Sequence, residues 1–180
     1  MPLLNSVTTP YAEAFLQVVD DVNQTDEVVS QVREILSLIN DSPELEKNLS
    51  SPVLEKEVKK EIIIKLFSEK INSSLLNFLK LLSDRQRIGI LVPILERFLE
   101  LYRENSNIAL ATVTSAVELS ESQKDLIKQK ISEIAGTDKL ELVTKTDSSL
   151  IGGFVASVGS KVIDASLASQ IRKLGLSLSK

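Results

Sequence analysis

No cysteine and no histidine occur anywhere in the 180 residues. The first absence excludes a disulfide framework, a thiolate nucleophile and a thiolate-ligated metal. The second removes the commonest general base and the commonest zinc ligand together. An enzyme built from this chain would have to work with carboxylates, lysines, tyrosines and serines. Long apolar runs are missing too, since none approaches the roughly 18–20 residues that span a bilayer. The opening MPLLNSVTTPY has neither a basic n-region nor an arginine-rich transit character. The expected site of action is therefore a cytoplasm-like compartment, with any membrane association made through a partner. A basic balance is also lacking: the formal net charge is −4, which disfavours nucleic acid as a ligand.

What is present is an ordinary globular composition, 43% apolar and 26% charged, long enough for one domain or two small ones. Up to Glu104 the chain carries 17 acids and 12 bases, and from Asn105 onward 8 acids and 9 bases. Acidity belongs to the first part. That part reads as six amphipathic helices with short polar connections. Thr9-Pro10 is a cap followed by proline at a first helical position, and Tyr11, Phe15, Val18 and Val22 recur behind it at helical spacing. A second helix is expected over Thr25–Ile39, broken by Asn40-Asp41. Ser42-Pro43 and Ser51-Pro52 repeat the cap-then-proline device for helices over 43–49 and 52–67, the latter with Leu54, Val58, Ile62 and Leu66 as its apolar stripe. Lys56, Lys59 and Lys60 interleave with glutamates and read as a solvated face. Asn72 or Ser73 caps a helix whose sequence, SLLNFLKLLSD, is apolar nearly all round. A sixth helix is expected over 88–104, with Pro93 near its first turn.

Beyond a polar linker at 103–107 the pattern changes. Ile108–Glu118 reads as a strand, and Ser120 with Gln123 forms a capping box for a helix that Gly136 ends. Leu140–Thr146 alternates as a strand does. KTDSSLIGGFVASVGSKVIDA, residues 145–165, reads as two strands, 150–158 and 161–163, turning at Gly159-Ser160. The pair Gly152-Gly153 removes side chains where another backbone comes close. A last helix is expected from Asp164, with Leu167, Ile171, Leu174 and Leu178 at helical spacing. The fold class is α+β: an N-terminal six-helix bundle over 1–105, then a small α+β domain with a short sheet over 106–180.

Candidate sites are few. The glycines lack the strand–loop–helix context of a phosphate cradle. Asp147 and Asp164 bracket the hairpin and could be imagined as an acid/base pair, but both occupy positions typical of turn and cap aspartates. The helix around Leu75–Leu82 carries more apolar surface than one bundle face needs. It is either the central helix or, with the Tyr11–Val18 helix, one wall of a groove for a partner's amphipathic helix, with Ala12 and Ala14 permitting close approach.

These residues carry a family resemblance. PYAEAF resembles the Tyr-Ala-x-Ala opening of the delta subunit family of bacterial and chloroplast F-type ATP synthases, whose mitochondrial counterpart is the oligomycin-sensitivity-conferring protein. Leu49–Val53 and Ser115–Ser120 are similar to two further segments of that family. Asp147, Leu150, Gly152, Gly153 and Phe154 resemble its signature core, and Asp164 with Ser166-Leu167 the helix start after it. Ser148 departs from the pattern, where proline is common, and so does Ala156-Ser157. The resemblance implies a non-catalytic stator subunit of a rotary ATP synthase, with no cofactor and no metal, present once per complex. It implies an N-terminal alpha-subunit helix of the catalytic head lying between the first and fifth helices. The groove candidates are then Tyr11, Ala14, Phe15, Val18, Leu75, Leu76, Leu79 and Leu82. It further implies that the C-terminal domain holds the ends of peripheral-stalk b-type subunits. The expected location is the cytoplasmic or stromal face of a plasma or thylakoid membrane, reached only through the complex. A generic helix-binding adaptor and a small enzyme using Asp147 and Asp164 are the competing readings.

Overall fold

A computed structural model describes residues 2–51, 54–137 and 139–178. The chain is mixed α+β and divides into two compact units, Met1–Tyr102 and Arg103–Lys180. The first contains α1 (Pro2–Asp21), α2 (Thr25–Asp41), α3 (Pro43–Ser50), α4 (Lys56–Phe67), α5 (Ser73–Asp84), a 3-10 turn at Ile88–Ile90 and all but the last turn of α6 (Leu91–Ser106). Each of the six contributes to one core, in which Val19, Val32, Ile63, Leu79, Ile94 and Phe98 are sealed from solvent. Polar side chains lock the helices in place. Asn72 caps α5 by accepting from the Ser74 N–H at 2.8 Å, while its own N–H donates to Gln31 Oε1 at 2.8 Å. The fully buried Ser83 hydroxyl donates to the Lys56 carbonyl at 3.1 Å, fixing α5 against the start of α4. Lys60 and Asp84 tie the same two helices at the surface, 2.7 Å apart.

Several boundaries differ from the sequence expectation. α1 begins at Pro2 and runs through Pro10, because a fixed proline φ is compatible with a helix that gives up one backbone bond, and burial of Thr8 anchors the turn ahead of it. α2 continues through Asn40-Asp41 and stops at Ser42. α4 begins at Lys56; Pro52 and Val53 lie outside the described residues. Its core face is Ile63 and Phe67, while Val58 and Leu66 are exposed. The run EIIIKLF offers two apolar stripes one residue out of phase; of the expected stripe Ile62 packs half-buried against the core, while the sealed positions belong to the other. The polar segment from Arg103 is helical to Ser106, and the turn falls at Asn107, φ 53°. Polar composition there marks a solvated helix end rather than a linker.

The second unit holds β1 (Ala109–Ser115), α7 (Glu121–Ala135), β2 (Leu140–Thr146), β3 (Phe154–Val158), β4 (Lys161–Asp164) and α8 (Leu167–Leu178). The sheet order is β2-β1-β3-β4, with β1 parallel to β2 and the other pairs antiparallel. The α7 crossover supplies Ile127 and Ile131 to a small core with Ala111, Val113, Leu140 and Ala156. α7 is held at both ends. Gln123 N–H donates to Ser120 Oγ at 3.4 Å, and Ser120 N–H donates back to Gln123 Oε1 at 2.9 Å. Gly136 closes the other end at φ 70°. Ser120→Ala is expected to lower the unfolding free energy by about 1 kcal/mol, read from urea melts; an unchanged midpoint would show the cap to be idle.

β1 is shorter than its apolar run, and β3 starts at Phe154, not at Leu150. Residues 150–153 bend instead, with Gly153 at φ 80°. The last helix starts at Leu167; Asp164 closes β4, and the helix is capped by Ser166, whose Oγ accepts from the Ser169 N–H at 3.2 Å.

Candidate functional site

Two helices of the first unit leave a depression of about 560 Å³ between them. α1 contributes Pro10, Tyr11, Ala14, Phe15 and Val18, and α5 contributes Ser74, Asn77, Phe78 and Leu81. Positions 11, 14, 15, 18 and 74, 77, 78, 81 share one spacing, which on an α-helix gathers side chains on a single face. No lining residue carries a charge. The floor is aromatic: the Phe15 and Phe78 rings stack with centroids 4.1 Å apart and 9° between planes. Phe15 also meets the buried Phe98 ring at 5.1 Å and 41°, so the floor of the groove is continuous with the core. Its rims stand in water, Val18 at 53% and Leu81 at 45% exposure. An open, uncharged trough between two helix ridges can take the apolar stripe of a visiting helix; Tyr11 and Ser74 bring hydroxyls to its lining, with no carboxylate, lysine or arginine among the lining residues to activate them.

The sequence-derived groove residues divide here. Tyr11, Ala14, Phe15 and Val18 line the trough. Leu75, Leu79 and Leu82 do not: all three are fully buried in the core. Leu76 packs half-buried against that core, also away from the trough. The lining residues of α5 stand one position earlier, 74, 78 and 81, which is a rotation of about 100°. A helix apolar nearly all round has no phase to read, so the core and groove faces could not be separated by spacing. Ala12 is likewise buried, leaving Ala14 as the outward small residue.

At the hairpin, Asp147 and Asp164 are exposed and serve turns. Asp147 Oδ1 accepts from the Ser149 N–H at 2.9 Å, and Asp164 Oδ1 accepts from the Ser166 N–H at 3.0 Å. A Cβ on Gly152 would run into the Leu167 side chain, and one on Gly153 would overlap the Ala165 carbonyl oxygen and stand 3.0 Å from Ser166 Cα. Leu150 is half-buried in the bend, and Phe154 packs partly buried against the sheet core. The signature residues thus hold the β3 entry against the start of α8.

Residues 7–178 match the family model of the ATP synthase delta (OSCP) subunit. The chain belongs to this family. Delta subunits of Prochlorococcus marinus strains MED4 and MIT 9312 are each 79% identical over all 180 residues, covering the whole of both chains. That of strain MIT 9303 is 59% identical over the whole of this chain and 99% of its own. A chain of the Toxoplasma gondii mitochondrial ATP synthase hexamer, solved by cryo-EM, superposes with TM-score 0.69 over 97% of this chain and 98% of that one; at 17% identity the likeness speaks for the fold alone. Delta-family proteins are non-catalytic structural subunits, stator components of F-type ATP synthases. Among the described residues no helix is long and apolar enough to cross a membrane.

Membership assigns the Asp147/Asp164 pair no chemistry. What the geometry gives Asp147 is a lowered pKa, because the Ser149 hydroxyl and then its backbone N–H hydrogen-bond the carboxylate. A folded pKa below the unfolded one contributes stability above the unfolded value, which is lost as pH falls through the folded value. In an NMR titration the Asp147 carboxyl should therefore protonate below the ordinary aspartate range. Ser149→Ala should bring it back up, and an ordinary titration in the parent chain would refute the assignment.

Proposed function

We propose that this delta-family chain joins the catalytic head of its ATP synthase to the peripheral stalk and so couples proton flow to ATP synthesis. In this reading the six helices act as one bundle, and the trough between α1 and α5 takes the N-terminal helix of an alpha subunit. The α+β part, from about residue 106, forms a second domain that holds the ends of b-type stalk subunits. One copy serves each complex, and it reaches the cytoplasmic or stromal face of a plasma or thylakoid membrane only through its partners. The observation that carries the reading is the trough itself, an uncharged aromatic-floored groove with its apolar rims left in water.

The physics suits a tie that must hold while a rotor turns. Apolar contact is not screened by salt, unlike exposed ion pairs. A helix seated along both ridges would bury on the order of 1,000–2,000 Å² in total, enough for a specific and long-lived interface. The test is titration of the full-length chain with a peptide of the alpha-subunit N-terminal helix, followed by amide NMR shifts. Saturable shifts centred on residues 10–18 and 74–81 are expected. Shifts confined to other surfaces, or none at saturating peptide, would overturn the groove assignment.

A further inference from the structure

The sheet of the second unit has two edges, β2 and β4, and they differ. β4 is four residues long, a short template for another strand. β2 has seven residues with neither proline nor glycine, and extended backbone continues past both its ends. Ala109 N–H donates to the Lys139 carbonyl at 2.9 Å, and Asp147 N–H donates to the Ser115 carbonyl at 2.8 Å. Among the described residues no strand pairs with the outer side of β2. A long free edge invites a further strand, and charged side chains are the common guard against one. On β2 the charges are ordered. Leu140 and Leu142 pack on the core beneath α7, so Lys139, Glu141, Val143, Lys145 and Asp147 alternate onto the opposite face. Of these only Glu141 is half-buried, with the Arg103 guanidinium 3.5 Å away; the other four are exposed.

Reversed, this face carries the same pattern with its signs exchanged: about Val143, Lys139 answers Asp147 and Glu141 answers Lys145. We propose that two copies of the free chain join through their β2 edges, antiparallel and two-fold symmetric about Val143, so that two four-stranded sheets become one. Lys145 of each copy then lies opposite Glu141 of the other, Lys139 opposite Asp147, and Val143 opposite itself. Glu141 keeps Arg103 of its own chain and gains Lys145 of the second copy. Directly opposite charges stabilise a strand pair when their signs differ and oppose it when they match. Slippage is therefore penalised. A shift of two residues one way sets Lys139 against Lys145, and the other way sets Glu141 against Asp147. A parallel pair in register would place every charge against its like. The pattern selects one partner and one register. An isologous contact also closes at two copies, leaving only the short β4 edges free. One strand pair is a small interface, so the dimer is weak, half-associated on the order of 0.1 mM. It gives way when a single copy enters the complex. The inference goes beyond the stator reading and does not depend on it.

The test is sedimentation equilibrium of the full-length chain from about 10 µM to about 1 mM, with amide exchange followed over the same range. The parent is expected to pass reversibly from monomer to dimer. Exchange at 139–147 should slow as it does, with β4 unchanged. Lys145→Glu, at an exposed position, sets glutamate against glutamate twice by symmetry and is expected to weaken association by about tenfold or more. Glu141→Lys should do the same. Mixed one to one, the two variants should pair with each other about as tightly as the parent pairs with itself, because each 141–145 contact is again of opposite sign. Melting curves report that each variant is folded; if Glu141→Lys unfolds beside Arg103, Lys145→Glu against the parent decides alone. A parent that stays monomeric at about 1 mM would overturn the proposal. So would a dimer that Lys145→Glu leaves unchanged, which would place the contact on another face, and so would growth beyond two copies.

Discussion

Leu81→Glu is expected to abolish measurable binding of the alpha-subunit helix while leaving the fold unchanged, whereas Leu82→Glu, one residue on, unfolds the first unit. The contrast follows from burial. Leu81 is 45% exposed on the rim of the trough, so a carboxylate there stays hydrated in the free protein. Docking would strip that water from a charge with no basic lining residue to receive it, at a cost of several kcal/mol, roughly a hundredfold or more in affinity. Leu82 is sealed in the core, where the same carboxylate has neither water nor a partner and several kcal/mol falls on folding instead. Calorimetric titration with the alpha peptide, paired with circular dichroism melts, reads both outcomes. Strong binding retained by Leu81→Glu would remove the trough as the docking site.

Gly153→Ala should be far more damaging than Gly136→Ala, although both glycines have positive φ, 80° and 70°. At Gly136 nothing lies within 4 Å of the added methyl, so only the left-handed backbone strain of about 1 kcal/mol applies. At Gly153 the methyl meets backbone, the Ala165 carbonyl and Ser166 Cα, and backbone cannot step aside as a flexible side chain can. Two hydrogen bonds hold the segments together, Ala165 N–H to the Phe154 carbonyl at 3.0 Å and Leu167 N–H to the Gly152 carbonyl at 2.9 Å, so relief means breaking them. We expect a loss of roughly 3–5 kcal/mol. The buried core of the second unit is small, so that loss should leave the unit largely unfolded, visible as collapsed amide-exchange protection in β1 and β3. Equal losses for the two variants would mean that the close approach at Gly153 is not what demands glycine.

Local chemistry was the legible part of the sequence. The capping box at Ser120, the left-handed stop at Gly136 and the strand Leu140–Thr146 each depend on a few adjacent residues, and each stands where spacing put it, although burial along that strand fades from Leu140 onward rather than alternating. The errors arise where packing from elsewhere decides. Pro10 reads as a helix start because nothing nearby tells that Thr8, a turn's length before it, is buried. Positions 58 and 66 of α4 look like a core stripe because the competing phase, 63 and 67, is equally apolar. The same ambiguity masks the groove face of α5: Ser74 and Asn77 are polar and give no apolar signal, yet their spacing, completed by Phe78 and Leu81, repeats that of the α1 face. That shared spacing on the two helices is the signal in the sequence that marks the groove face.

The double role of Phe15 bears on stiffness. One ring forms the floor of the trough and also lies against Phe98 in the interior. A pull on a docked helix would thus press directly on close-packed rings, with no mobile side chain or loop between. Protein interiors are nearly incompressible, so the seat yields little before the helix slides or the bundle opens. On the proposed docking, compliance in the head-to-stalk connection would then come from elsewhere along the stator, and not from this seat.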